Sequence, residues 1–107
     1  MTDVILTQTE SQRAAGLAWL MGEGDSMSGD FNPGDPLLVD TNVKSYVGEG
    51  MYVFQIDNHR FIKRLQRSPE GIAVMSSNPV YKTWFMTPDM DVKFIGRVIK
   101  AYKGKTV

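Results

Sequence analysis

The chain has no cysteine and a single histidine, His59. A disulfide framework and a thiolate metal site are therefore excluded, and one imidazole cannot build a histidine cluster, so neither a metal nor a cofactor is expected. Net charge is missing too. Twelve Lys and Arg residues balance twelve Asp and Glu, which removes the positive field by which a stand-alone nucleic-acid binder attracts phosphates. No apolar run approaches the ~20 residues needed to cross a bilayer. The N-terminus, Met1 to Glu10, is polar and acidic, not basic and then apolar as a secretory signal would be. These absences make a cytoplasmic protein with no membrane partner the expectation.

What is present is the composition of an ordinary globular domain, 42% hydrophobic and 22% charged. A length of 107 residues suits one domain with one main core. Residues 1–12 are rich in Thr, Gln, Glu and Asp and read as a tail or linker remnant; the domain is expected over 13–107. Between Ser11 and Met21 the apolar residues are compatible with a short helix or with the approach to a buried strand, and a strand over Leu17 to Glu23 is favoured. Gly24 to Asp35 holds turn chemistry, and Leu37 to Val39 reads as a short buried strand.

Gly50 to Ile56 alternates Met51, Val53 and Gln55 against Tyr52, Phe54 and Ile56, and after Asp57-Asn58-His59 the pattern resumes over Arg60 to Gln66. That spacing predicts a hairpin. Pro69-Glu70-Gly71 is a second turn, Ile72 to Met75 another strand, and Ser76-Ser77-Asn78-Pro79 ends it. Val92 to Tyr102 is the last long strand, where Gly96 suggests a bulge or a close backbone approach. The fold class is mainly β, with small twisted antiparallel sheets forming a sandwich or partial barrel.

Without cysteine and with one histidine, a Ser-Lys pair is among the few catalytic arrangements left. Ser26 lies in the glycine-bracketed loop Gly24-Asp25-Ser26-Met27, which would leave a hydroxyl exposed and backbone N–H groups free for an oxyanion. Serines in glycine-rich turns are common without any such role. Lys63, in Phe61-Ile62-Lys63-Arg64-Leu65, points by alternation to the side of Phe61 and Leu65. Apolar surroundings disfavour a charged amine, and a neutral amine accepts a proton from a hydroxyl. The plainer alternative is a lysine snorkelling at a sheet rim.

Taken in order, Gly24-Asp25-Ser26-Met27, Phe31-Asn32-Pro33-Gly34-Asp35, Val39-Asp40, Phe61-Ile62-Lys63-Arg64-Leu65, Ser76-Ser77-Asn78-Pro79-Val80-Tyr81 and Ile95-Gly96-Arg97-Val98 are a specific combination. With Lys63 standing 37 positions after Ser26, the chain resembles the peptidase-like domain shared by LexA, phage repressors and the UmuD proteins, from about Leu17 to Tyr102. The resemblance implies a β-rich LexA-like domain with Ser26 as nucleophile, Lys63 as general base and the backbone N–H groups of Ser26 and Met27 as oxyanion donors. The implied reaction is cleavage of a peptide bond in the same polypeptide, stimulated by a RecA filament in the SOS response. The implied constitutive role is repressor dimerisation, with DNA contacted only through an N-terminal helix-turn-helix domain. Nothing before Gly16 has room for three or more helices, so that domain is expected to be absent from this chain.

Two departures stand out. Met27 is followed by Ser28-Gly29-Asp30, where the family usually has an acidic residue and a proline, so a looser loop is expected. The only Ala-Gly pair, Ala15-Gly16, lies ten residues before Ser26 and suits the start of a strand better than a scissile bond. For the dimer contact, the candidates are Trp84, Phe85 and Met86, or an edge offered by Val92 to Tyr102, against ordinary core packing for both. Two other functions stay open: a trans-acting processing peptidase of the signal peptidase type, and a dimerisation module that does not cleave.

Overall fold

A computed structural model of the chain describes residues 8–24 and 26–102. Among the described residues, seven strands follow one short helix. They are α1 (Glu10–Ala15), β1 (Leu17–Met21), β2 (Pro36–Asp40), β3 (Gly50–Ile56), β4 (His59–Ser68), β5 (Gly71–Met75), β6 (Trp84–Met86) and β7 (Val92–Ala101). All pairings are antiparallel within a single sheet of order β1-β2-β7-β3-β4-β5-β6. The mainly β reading holds, with one continuous sheet in place of several small ones. Of the expected tail, residues 1–7 lie outside the described residues, while Glu10 onward is helical.

Both readings of the Ser11 to Met21 stretch turn out to apply, one after the other. Thr9 and Gln12 form a reciprocal capping box that starts α1. Gly16 ends the helix in the left-handed conformation at φ 72°, and its N–H bonds back to the Arg13 and Gln12 carbonyls. The chain then enters β1 at once, which puts Ala15-Gly16 at the helix-to-strand junction.

The β3–β4 hairpin closes on a two-residue turn, Asp57-Asn58, with both residues at positive φ (50° and 67°). This is the conformation that brings two strands together with the correct twist, and Asp and Asn tolerate it. Strands β3 to β6 run as a meander, and β7 returns to pair between β2 and β3. β7 is therefore an interior strand, which corrects the expectation that it offers an edge. The edges are β1 and β6. Two register shifts fall on β7, opposite Leu38/Val39 of β2 and Val53/Phe54 of β3. Beside the second, Gly96 passes so close to β2 that an added Cβ would lie 2.5 Å from Val39 Cγ1 and 2.7 Å from the Asp40 carbonyl oxygen. Both meanings offered for that glycine, bulge and close approach, are realised.

β3 is buried on both faces and divides the apolar interior in two. Met51 and Val53 join Leu20, Leu37, Val39 and Ile62 in one cluster, which Met27 and Phe31 complete from the loop after β1. Tyr52 and Phe54 join Leu65, Val74 and Met86 in the other. Trp84 packs at the margin of this second cluster, 5.7 Å from Phe61 between ring centroids, and Met86 is buried, so both are core-facing. Phe85 between them is exposed.

Candidate active site

Ser26 opens a tight turn over residues 26–30. The turn's carbonyl acceptor is Met27, which receives the N–H groups of Asp30 at 3.0 Å and Phe31 at 3.1 Å. Met27 and Phe31 are each 1% exposed, so the turn is held from below by two side chains sunk into the first apolar cluster. Further along the loop, the buried Asp35 carboxylate accepts the Asn32 N–H at 2.8 Å. Gly22 donates to the Asp35 carbonyl and Gly34 to the Gly22 carbonyl, each at 2.9 Å. The departure at Ser28-Gly29 is accommodated here with Gly29 at φ 111°, a conformation that favours glycine. Asp25, named in the sequence motif, lies outside the described residues.

Lys63 stands in the middle of β4, opposite Tyr52 of β3, and is half-buried. Its neighbour Ile62 belongs to the first apolar cluster, while Phe61 and Leu65 belong to the second. The alternation therefore turns Lys63 toward the Phe61 and Leu65 side, as its period-two position predicts. The Lys63 amine donates to Ser76 Oγ at 2.9 Å and lies 5.3 Å from the centroid of the Tyr81 ring, within the range of a cation–π contact.

Each candidate residue is bonded to the segment that follows β5, Lys63 through its amine and Ser26 through its backbone carbonyl. Ser76 accepts from Lys63, and two residues later the Asn78 N–H donates to the Ser26 carbonyl oxygen at 2.8 Å. Between them, the Ser77 hydroxyl donates to the Asp30 carboxylate and rests 3.9 Å from Met27 Sδ. Asp30 in turn lies 3.6 Å from the Arg64 guanidinium. Arg64 thus fastens the Ser26 turn to the strand that carries Lys63. Ser76, Ser77, Asn78 and Tyr81 stood in a quoted motif but were given no role. The usable signal was their place just past β5, the strand that pairs with β4 through Arg64↔Met75.

A strand lysine and a turn serine, each bonded to one polar segment, are the residue types that serine chemistry with an amine base uses. A family model described as Peptidase S24-like matches residues 2–99. The chain is also similar to the 26 kDa repressor protein of Escherichia phage HK022, with 41% identity over 63 residues. That alignment covers 59% of this chain and 27% of the repressor. It agrees with the resemblance drawn from the ordered motifs, and since the family model covers nearly the whole sheet, the chain belongs to the Peptidase S24-like family.

Proposed function

We propose that this chain is the C-terminal domain of a phage-type transcriptional repressor that dimerises and cleaves its own polypeptide with a Ser26/Lys63 dyad. The observation that carries the reading is the Ser76–Asn78 segment, which accepts the Lys63 amine at one end and donates to the Ser26 backbone at the other. Similarity to a phage repressor supports the biological setting.

In the reaction, the neutral Lys63 amine takes the proton of Ser26 Oγ as that oxygen attacks the scissile carbonyl. The N–H groups of Ser26 and Met27 receive the developing oxyanion. The Lys63 ammonium then returns a proton to the departing amine, and water hydrolyses the acyl-serine. A cleavage segment docked over Lys63 excludes water and favours its neutral form, which makes cleavage depend on closure. A RecA filament would act by favouring that closed state. Dimerisation follows from the symmetry of repressor operators, whose two half-sites call for a two-fold assembly.

The test is self-cleavage of the repressor polypeptide carrying this domain, followed by intact mass from neutral pH to about pH 10. Cleavage that rises with pH and vanishes in Ser26→Ala and Lys63→Ala is the expected result, with sedimentation showing the same dimer in all three proteins. Cleavage at the wild-type rate in either variant refutes the dyad. No cleavage at any pH, with or without activated RecA, leaves a dimerisation module without turnover, and monomers throughout would remove the dimer as well.

A further inference from the structure

A base acts only from within hydrogen-bond reach of the proton it removes, and a lysine on a four-carbon stem has many orientations to lose. Two groups after β5 meet the Lys63 amine, the Ser76 hydroxyl at 2.9 Å and the Tyr81 ring at 5.3 Å to its centroid. A hydroxyl accepts an N–H from an amine in either protonation state, so it restricts the direction of Nζ without adding the charge by which a carboxylate would hold the ammonium form.

The backbone holds Ser76 firmly where it is needed. It directly follows β5, whose Met75 pairs with Arg64, next to Lys63. Two residues on, Asn78 is bonded to the Ser26 carbonyl. Across β4, Tyr52 faces Lys63 from β3 with its hydroxyl engaged by the Val47 N–H and the Gly48 carbonyl. The Arg64–Asp30 ion pair belongs to the other face of β4.

We propose that Ser76 is a positioning residue for Lys63, its Oγ fixing the direction of the amine. The assignment rests on the dyad reading above. It makes the segment after β5 responsible for placing both reacting groups, the amine through a side chain and the serine turn through the backbone.

Phosphonylation of the 107-residue chain by an alkyl fluorophosphonate tests it without any cleavage segment. Ser26 Oγ forms a bond to phosphorus, the P–F bond breaks with loss of fluoride, and the hydroxyl proton passes to the Lys63 amine. Labelling is followed by intact mass from about pH 6 to about pH 10. The wild type is expected to label at Ser26 with a rate that rises to a plateau, and Ser26→Ala and Lys63→Ala to lose it. Ser76→Ala should lower the plateau about tenfold, and Ser76→Thr, which keeps the hydroxyl, should restore it to within about twofold. Ser76→Asp should move the midpoint upward by about one pH unit, a readout that the folded fraction does not change.

Labelling that requires Ser26 and Lys63 but is indifferent to all three Ser76 substitutions overturns the role of Ser76 and leaves the dyad standing. Failure of Ser76→Thr to rescue, in a variant whose thermal melt matches wild type, overturns it too. A wild type that labels no faster than Ser26→Ala refutes the dyad reading itself, and the role of Ser76 falls with it.

Discussion

Truncating Met27 tests whether the Ser26 turn is held by the core beneath it. The side chain is 1% exposed and lies in the cluster with Leu20, Phe31, Leu37, Val53 and Ile62. Met27→Ala removes the γ-methylene, the sulfur and the terminal methyl. At about 0.8 kcal/mol for each buried methylene-sized group, transfer alone costs roughly 2.4 kcal/mol. The partly unfilled cavity adds to this, for a total near 3 kcal/mol. With a urea dependence of about 1.5 kcal/mol/M, the unfolding midpoint should fall by about 2 M. Urea titration followed by the fluorescence of Trp19 and Trp84 measures it, and fluorophosphonate labelling of the same variant at a urea-free pH plateau reports whether Ser26 has moved. Met21→Ala is the control, since Met21 is 61% exposed and should cost less than about 0.5 kcal/mol. If Met27→Ala is no more costly than Met21→Ala, the turn is not anchored by this contact and the reasoning fails.

Gly96→Ala should destabilise the domain by about 1–3 kcal/mol, because the new methyl meets the Asp40 carbonyl oxygen at 2.7 Å; an unchanged denaturation midpoint would mean that β2 and β7 separate freely there. Asp30→Ala removes the Arg64 ion pair and the Ser77 hydrogen bond, both at the surface, so global stability should drop by less than about 1 kcal/mol while amide exchange quickens in residues 26–31. Equal quickening across the whole sheet would contradict a local fastening. Asp89 is held below the usual carboxylate value first by the Thr87 hydroxyl and then by its own backbone N–H. A carboxylate depressed in the folded state adds stability above its unfolded pKa and loses it as pH falls through the folded value. Thr87→Val should therefore raise the Asp89 titration midpoint toward normal in an NMR pH series, and an unmoved midpoint would assign the effect elsewhere.

How much of the molecule the sequence carried varies with the range of the interactions involved. Local chemistry was sufficient for the β3–β4 hairpin, because Asp57-Asn58 supply the positive φ that a two-residue turn requires and the flanking strands alternate cleanly. It was sufficient for the direction of Lys63 as well, since a period of two leaves one choice of face. The helix at Glu10–Ala15 was left open against a strand, although Thr9 and Gln12 are its capping box. The signal lay just upstream of the apolar run and carries less weight than the run itself.

The sequence by itself determined the absence of thiol and histidine-cluster chemistry and the mainly β class, which depend on residue type and short spacing, while Ser26 and Lys63 became candidates through the resemblance of the ordered motifs to a known family. Only the tertiary structure decided that β7, the last strand in the chain, sits inside the sheet between β2 and β3, because strand order arises from pairing between segments far apart in sequence. It alone decided that Ser76 meets Lys63 while Asn78 meets Ser26. Those contacts join residues from three separate stretches of chain, and no local pattern records which side chain will face which across a folded sheet.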